Sequence, residues 1–327
     1  MNSKPTLTAE PVEPFTFSPV GARRVYELGP FGTAAKKLKE SVRSQIMGVH
    51  VRAFCLVVLC GALVMGTGTA RAQEPPTVQP AAQGESAELA KKLSNPISNL
   101  VSVPFQFNWE ENVGPQKDTR FILNVQPVMP FTLTQSVNLI ARVIVPLVSQ
   151  PALVEGGSPT FGVSDVLTSF FFSPSKASSF TWGVGPVISF PSTSEPTLGT
   201  GKWSVGPTIV ALKQSGPWTV GALVNQVWSV GGDEDREDVN QLFLQPFLAY
   251  NTKSLWTITL QSETTANWEA ESDKWTVPVN LIFSKLSSFG PFPASYSFGA
   301  GVYAAHPEVG PTWKLRGAIT ILLPRGK

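Results

Sequence analysis

The stretch WTITLQSE, residues 256–263, alternates strictly: Trp256, Ile258 and Leu260 fall on one parity, Thr257, Thr259, Gln261 and Glu263 on the other. Successive side chains of an extended chain point to opposite faces, so this segment reads as a strand with one apolar face and one face polar enough to carry a carboxylate. Other segments repeat the pattern. Phe105, Phe107 and Trp109 oppose Gln106 and Asn108; Phe121, Leu123 and Val125 oppose Asn124 and Gln126; Val277, Val279, Leu281 and Phe283 oppose Thr276, Asn280 and Ser284. From Val101 onward the chain breaks into about twelve extended runs of about ten residues, the length a tilted strand needs to cross a bilayer. The segment ESAELAKKL (85–93) is the one piece of helical character downstream of Gln73.

All nine tryptophans sit near an end of an extended run. With strands taken alternately up and down, Trp109, Trp203, Trp228, Trp268, Trp275 and Trp313 reach one rim and Trp182, Trp218 and Trp256 the other. Indole rings settle where headgroups meet hydrocarbon, so two such rims read as the aromatic girdles of a membrane barrel. The connections sort the same way. Compact turns (PFTLTQ at Pro130, PSKASS, KQSG, NTKS, SSFGPFP) alternate with longer or more acidic links (EENVGPQKD, SQPALVEGGSPT, STSEPTLGTGK, GGDEDRED, EAESDK, AHPEVGP). Lys176, Lys213, Lys253 and Lys285 belong to the compact side. The expected fold is therefore all-β, a transmembrane antiparallel up-and-down β-barrel of about twelve strands over residues 99–327, with both termini periplasmic. Pro127, Pro146, Pro186, Pro207, Pro246 and Pro278 cut across this reading, because each removes a ladder donor and a barrel has no edge to hide it; bulges or bends are expected there. A soluble β-sandwich is the competing architecture.

Upstream, AFCLVVLCGALVM (53–65) is an apolar core of signal-peptide length, preceded by Arg43 and Arg52 and followed by an A-x-A cleavage site, Ala70-Arg71-Ala72. Residues 47–72 read as a cleaved export signal, 1–46 as an upstream extension without fold, with an unusually long leader as the alternative, and 73–98 as a periplasmic linker ending in the short helix, with a plug folded into the lumen as the alternative for Gln73 to Asn95. Both cysteines, Cys55 and Cys60, lie in the signal, so the exported part carries no disulfide and no thiolate metal site. The chain is +2 overall, but nine Lys/Arg and four Asp/Glu belong to residues 1–72; the remainder holds 16 basic and 19 acidic residues, a net charge of −3. No basic stripe remains, and nucleic-acid binding is excluded.

Inward parity marks Asn138, Arg142, Asn225, Gln241, Gln245, Gln261, Glu263 and Asn280 as candidate lumen-lining residues. Rings of charged side chains set pore selectivity, so Arg142 with Glu263 is a candidate constriction pair, set against an internal ion pair that only braces the barrel. Asp233, Glu234, Asp235, Glu237 and Asp238 form an outer-loop acidic cluster. Their spacing and glycine placement are not those of an EF-hand, and they read first as a solvated loop, with a cation or lipopolysaccharide-bridging site as the alternative; the preferred functional use is a field at the mouth that favours cations. No catalytic, cofactor or metal site is expected: His306, the one histidine after the signal, precedes Pro307 in a loop, and no serine stands in a nucleophile elbow. WGVGPVI at Trp182 and WSVGPTI at Trp203 repeat one motif, read as a copied hairpin.

The runs NPISNLVSVPFQFNWE, FILNVQPVMPF, NLIARVIVPLVSQP, WGVGPVISFP, GTGKWSVGPTIVALKQSGPWTVGALVNQVWSVGG, NQLFLQPFLAY and DKWTVPVNL resemble a family of Gram-negative outer-membrane proteins. The family is grouped with a protein of the meta-cleavage pathway of phenol degradation; its members are often labelled transporters or, misleadingly, neuromedin U. The resemblance covers roughly residues 95–324 and implies an outer-membrane barrel passing small hydrophobic or aromatic molecules, with no residue set of established function. The chain departs from the barrel pattern in ending LLPRGK rather than on an aromatic. The expected partners are outer-membrane lipids, lipopolysaccharide and the barrel-insertion machinery, without cofactor. A non-transporting structural or adhesive barrel is the alternative.

Overall fold

A computed structural model describes residues 80–176 and 178–323; the expected extension and export signal lie outside the described residues. After helix α1 (Pro80–Leu93) come twelve strands: β1 (Val101–Val113), β2 (Asp118–Val125, continued as Val128–Thr132), β3 (Val137–Gln150), β4 (Thr160–Val163, continued as Val166–Pro174), β5 (Phe180–Phe190) and β6 (Lys202–Ser215). The second half comprises β7 (Trp218–Gly232), β8 (Asn240–Asn251), β9 (Trp256–Ser262, continued as Thr264–Asn267), β10 (Trp275–Phe289), β11 (Phe292–Ala305) and β12 (Trp313–Leu323). Each strand pairs antiparallel with the next. β12 returns to β1 in a register running from Val101↔Leu323 to Glu111↔Trp313, so the sheet closes on itself. Closure leaves no row of unpaired backbone donors and acceptors, the condition for a sheet in hydrocarbon.

The alternation read from the sequence sorts residues in the sense opposite to a soluble protein. Ile209, Leu260, Val279, Leu281, Phe298 and Val302 are exposed on the outer wall, while Asn108, Glu110, Asn225, Asn280, Lys314 and Arg316 are buried inside. Among the described residues no helix is long and apolar enough to cross a membrane; the crossing elements are the strands. Eight tryptophans, at positions 182, 203, 218, 228, 256, 268, 275 and 313, are exposed at the strand ends. They form local aromatic groups at both rims: Trp268 with Trp275 (ring centroids 5.6 Å apart) at one, Trp218 with Tyr250 (4.7 Å) at the other.

Prolines account for several irregularities in the wall, beside register shifts at Glu110/Val113 and Trp203/Ser204 that involve none. β2 breaks at Gln126-Pro127. Beside Pro146 the β3–β4 register slips by one residue between Leu147↔Val163 and Ile144↔Leu167, a bulge at Ser164-Asp165. Another slip beside a proline falls at Val277/Pro278. Pro186 of β5 lies directly opposite Pro207 of β6. Neither ring has an N–H, and the loss appears on the far side of each, where pairing of β4 with β5 and of β6 with β7 is interrupted. Gly185 and Gly206 immediately precede these prolines, and a Cβ on either would overlap the carbonyl oxygen of Phe170 or Gln226. The repeated V-G-P is thus a packing device: the proline withholds a donor and the glycine lets the facing carbonyl close in.

Two boundaries differ from expectation. PFTLTQ does not turn at Pro130, which pairs with Ile140 inside β2; the reversal falls after Thr132. Nor is EENVGPQKD a long outer loop, since β1 runs to Val113 and β2 starts at Asp118, with Gly114 (φ 76°) and Lys117 (φ 55°) in left-handed conformations. Continued cross-strand pairing outweighs the turn propensity of isolated Pro and Gly residues at both places.

The lumen is not polar throughout. Ile97, between α1 and β1, is buried against Ile140, Phe171, Val210 and Leu223, with Val128 and Phe243 beside them. Toward the other end, Leu198 of the short helix Pro196–Leu198 packs on Ile122 and Val148. One side of the interior is therefore filled by apolar chain from the N-terminal segment and from the β5–β6 connection.

A charge placed on the outer wall should be costly only in lipid. Leu281→Arg, at the middle of β10, is expected to destabilise the barrel by about 2–4 kcal/mol in urea unfolding from phospholipid vesicles. Equal stability of the variant and the parent would contradict an acyl-chain environment at that position.

Candidate functional site

β1, β2, β9, β11 and β12 together build a charged network inside the barrel. Arg316 of β12 donates two parallel bonds to Glu263, Nη1 to Oε1 at 2.8 Å and Nη2 to Oε2 at 2.5 Å, and its Nε reaches Asn108 Oδ1 at 2.7 Å. Lys314 Nζ lies 3.2 Å from the same Glu263 carboxylate and 5.4 Å from the Tyr303 ring centre. Glu110 of β1 accepts from Arg120 Nε (2.7 Å) and from the Tyr303 hydroxyl (2.7 Å), and Arg120 Nη2 lies 2.6 Å from its carboxylate as an ion pair. A paired guanidinium and carboxylate in fork geometry is among the strongest side-chain contacts available, and each partner here removes the cost of burying the other.

Glu263 owes its place to backbone. It stands at the break between the two parts of β9, level by register with Pro278, whose missing N–H interrupts the ladder there. Gln126 occupies the corresponding break in β2 beside Pro127 and accepts a hydrogen bond from Arg142 Nη2 at 2.7 Å. Two cavities lie in the lumen. One, of about 240 Å³, runs beside Ser94–Ser98 and the β9–β12 wall; the other, of about 100 Å³, is bounded by Arg142, Asn225, Glu263 and Arg316. Gln126 and Arg142 line both, so the two spaces meet at that hydrogen-bonded pair.

Of the eight residues picked by parity, Arg142, Asn225, Gln245 and Glu263 come together around the smaller cavity. Gln261 joins them indirectly, accepting from Gln245 at 3.3 Å and donating to Glu263 at 3.4 Å. Asn138, Gln241 and Asn280 are buried inward but line neither cavity, Asn280 being packed against Gly301. Arg142 and Glu263 share the cavity wall without a salt bridge: Arg142 pairs with Gln126, and Glu263 with β12. Glu110, Arg120, Lys314 and Arg316 complete the site although they were not among those eight.

The acidic loop 233–238 does not converge on a point. Among the described residues no three His, Cys, Asp or Glu side chains are grouped as a metal ion would need. Asp238 accepts from Ser229 Oγ (3.0 Å) and lies 3.3 Å from Lys202 Nζ; that hydrogen bond and the lysine hold its carboxyl below the usual range. Arg236 turns away from the acids and donates to the carbonyls of Thr200 (3.3 Å) and Gly199, tying the loop to the inward-folded β5–β6 connection. His306 directs Nδ1 to the Pro307 carbonyl at 2.7 Å.

The two kinds of ion pair predict different sensitivities. Glu263→Ala leaves Lys314 and Arg316 buried without the carboxylate that bonds both directly and is expected to cost about 3 kcal/mol in urea unfolding. Asp238→Asn, which changes the exposed member of its pair, should leave the unfolding midpoint unchanged within error.

No family model and no curated protein sequence matches the chain. Among solved structures it is similar to an outer membrane channel from Pseudomonas putida F1, at 15% identity and a TM-score of 0.54 over 68% of this chain and 94% of that one. The NanC porin matches at 10% identity and a TM-score of 0.45, over 69% and 100% of the two chains. Outer membrane phospholipase A from Escherichia coli matches at 11% and 0.42, over 74% and 98%. The first of these likenesses shows a shared fold: this chain is a closed antiparallel β-barrel of the architecture found in that outer membrane channel.

Proposed function

We propose that the protein is an outer-membrane channel for passive passage of small molecules, exported by cleavage of residues 47–72 and inserted among lipopolysaccharide and phospholipid by the barrel-insertion machinery. The observation that carries this reading is the pair of cavities in series inside a closed, outwardly apolar barrel, meeting at Gln126 and Arg142. Eight-stranded barrels are filled by their own side chains and sixteen-stranded ones leave an aqueous channel; twelve strands leave a narrow lumen of this kind. The fold shared with the Pseudomonas putida channel supports the same reading. Hydrophobic or aromatic permeants fit the resemblance to the phenol-degradation family. They also fit the apolar part of the wall, Ile122, Ile144, Leu167 and Phe243. No cofactor or energy source enters: a permeant moves down its own gradient.

Planar-bilayer recording tests the proposal. Discrete single-channel steps are expected from the purified protein, and absence of current at every voltage would remove the channel reading. The seal around Ile97 narrows the path, so Ile97→Ser should raise unitary conductance above that of the parent. Unchanged conductance would mean that ions do not pass the Ile97 seal.

A further inference from the structure

The charges inside the barrel do not cancel. Among the buried and cavity-lining charges of the described residues, Arg120, Arg142, Lys202, Lys314 and Arg316 stand against Glu110, Asp165 and Glu263, and the salt bridges leave Arg142 without a carboxylate within 4.0 Å. Its one side-chain hydrogen bond goes to the neutral Gln126, at the junction of the two cavities. A guanidinium presents a planar fork of donors matched to a carboxylate, and here only one donor is engaged by an exchangeable amide oxygen. Across the same cavity the wall changes character. Ile144, Leu167 and Phe243 face the space that Arg142, Lys314 and Arg316 border. We infer that the channel selects small organic anions with an apolar body, the carboxylate passing from Gln126 to the Arg142 guanidinium while the body slides along Ile144, Leu167 and Phe243. This rests on the channel reading above and narrows its permeant.

The acidic outer loop does not oppose the selection. Asn225 borders the same cavity as Arg142, and from it to Asp233 the chain climbs eight residues of β7 and the following loop, roughly 20 Å along the barrel axis for a tilted strand. At physiological salt an exposed charge is screened over about 8 Å, so the cation-favouring field of Asp233, Glu234, Asp235 and Glu237 ends well above the junction. Arg142, in the narrow part, acts on an ion at close range. The cation preference expected from the loop is then confined to the mouth, and the narrow part decides what crosses.

The test is the reversal potential of the purified protein in planar bilayers under a potassium chloride gradient, with sodium benzoate, sodium acetate and benzyl alcohol as added probes. The parent should pass chloride over potassium. Arg142→Gln should lower that permeability ratio about sevenfold, because one unit charge across about 7 Å of water shifts each ion by about a factor of e, in opposite senses for chloride and potassium. Benzoate should reduce the chloride current more than acetate, which lacks the apolar body, and more than benzyl alcohol, which lacks the charge. Arg142→Lys keeps the charge but not the fork; it should retain chloride selectivity and lose most of the benzoate effect. Current selective for potassium, a ratio unmoved in Arg142→Gln, or benzoate acting no more than benzyl alcohol would each overturn the inference while leaving the channel intact. Absence of any current overturns the channel reading itself. Should Arg142→Gln fail to fold, the parent's selectivity and Arg142→Lys decide the question alone.

Discussion

Inside a hydrocarbon layer a backbone N–H or C=O without a partner has no water to turn to, and each one left open costs several kcal/mol. The pairing of β1 with β12 answers that constraint for the whole sheet. Once the ends meet, strand direction, the two rims and the inside-out sorting of side chains are all determined. Leu260 pairs with Leu281 on the outer wall because any register slip of one residue would turn Gln261 and Asn280 toward lipid.

A closed wall makes the interior a confined space with its own electrostatics. Carboxylates and cations that could float in solvent on a surface loop are here held by several partners at once, as Glu263 is by Arg316, Lys314 and Gln261. Such a network braces the wall from inside and also leaves a surplus of positive charge, so structural and electrostatic roles reside in the same residues. The backbone contributes too. The gaps beside Pro127 and Pro278 are where Gln126 and Glu263 sit, and a break in the ladder is what lets each depart from regular strand geometry.

The sequence was most legible where period two is unbroken. Residues 105–109, 121–126, 256–263 and 276–284 predicted their own faces, and the tryptophans predicted the rims. Legibility failed where both faces are apolar: in β4 the run Phe170-Phe171-Phe172 has no alternation, because Phe171 meets Ile97 inside while Phe172 is exposed outside. Who pairs with whom across the lumen was also hidden. Glu263 belongs to β9 and its partners to β12, strands that are not neighbours in the sheet, so the contact depends on barrel diameter and shear rather than on spacing along the chain. A signal for the missing residues did exist. Glu110 continues the parity of Gln106 and Asn108, and Lys314 and Arg316 oppose the outward Leu315.

The facing prolines carry a consequence for the time before closure. Until its last pair forms, each strand is an exposed template that a second copy could extend into an aggregate, and alternating β-branched and aromatic residues make these segments prone to it. A proline in mid-strand spoils that template, because stacked copies would each lack the same donor at the same place. In the finished wall the loss is absorbed by Gly185 and Gly206, which only the correct neighbours exploit. The V-G-P pair thus gives up a little ladder in the closed barrel at the positions where a mispaired copy would lack the same donors.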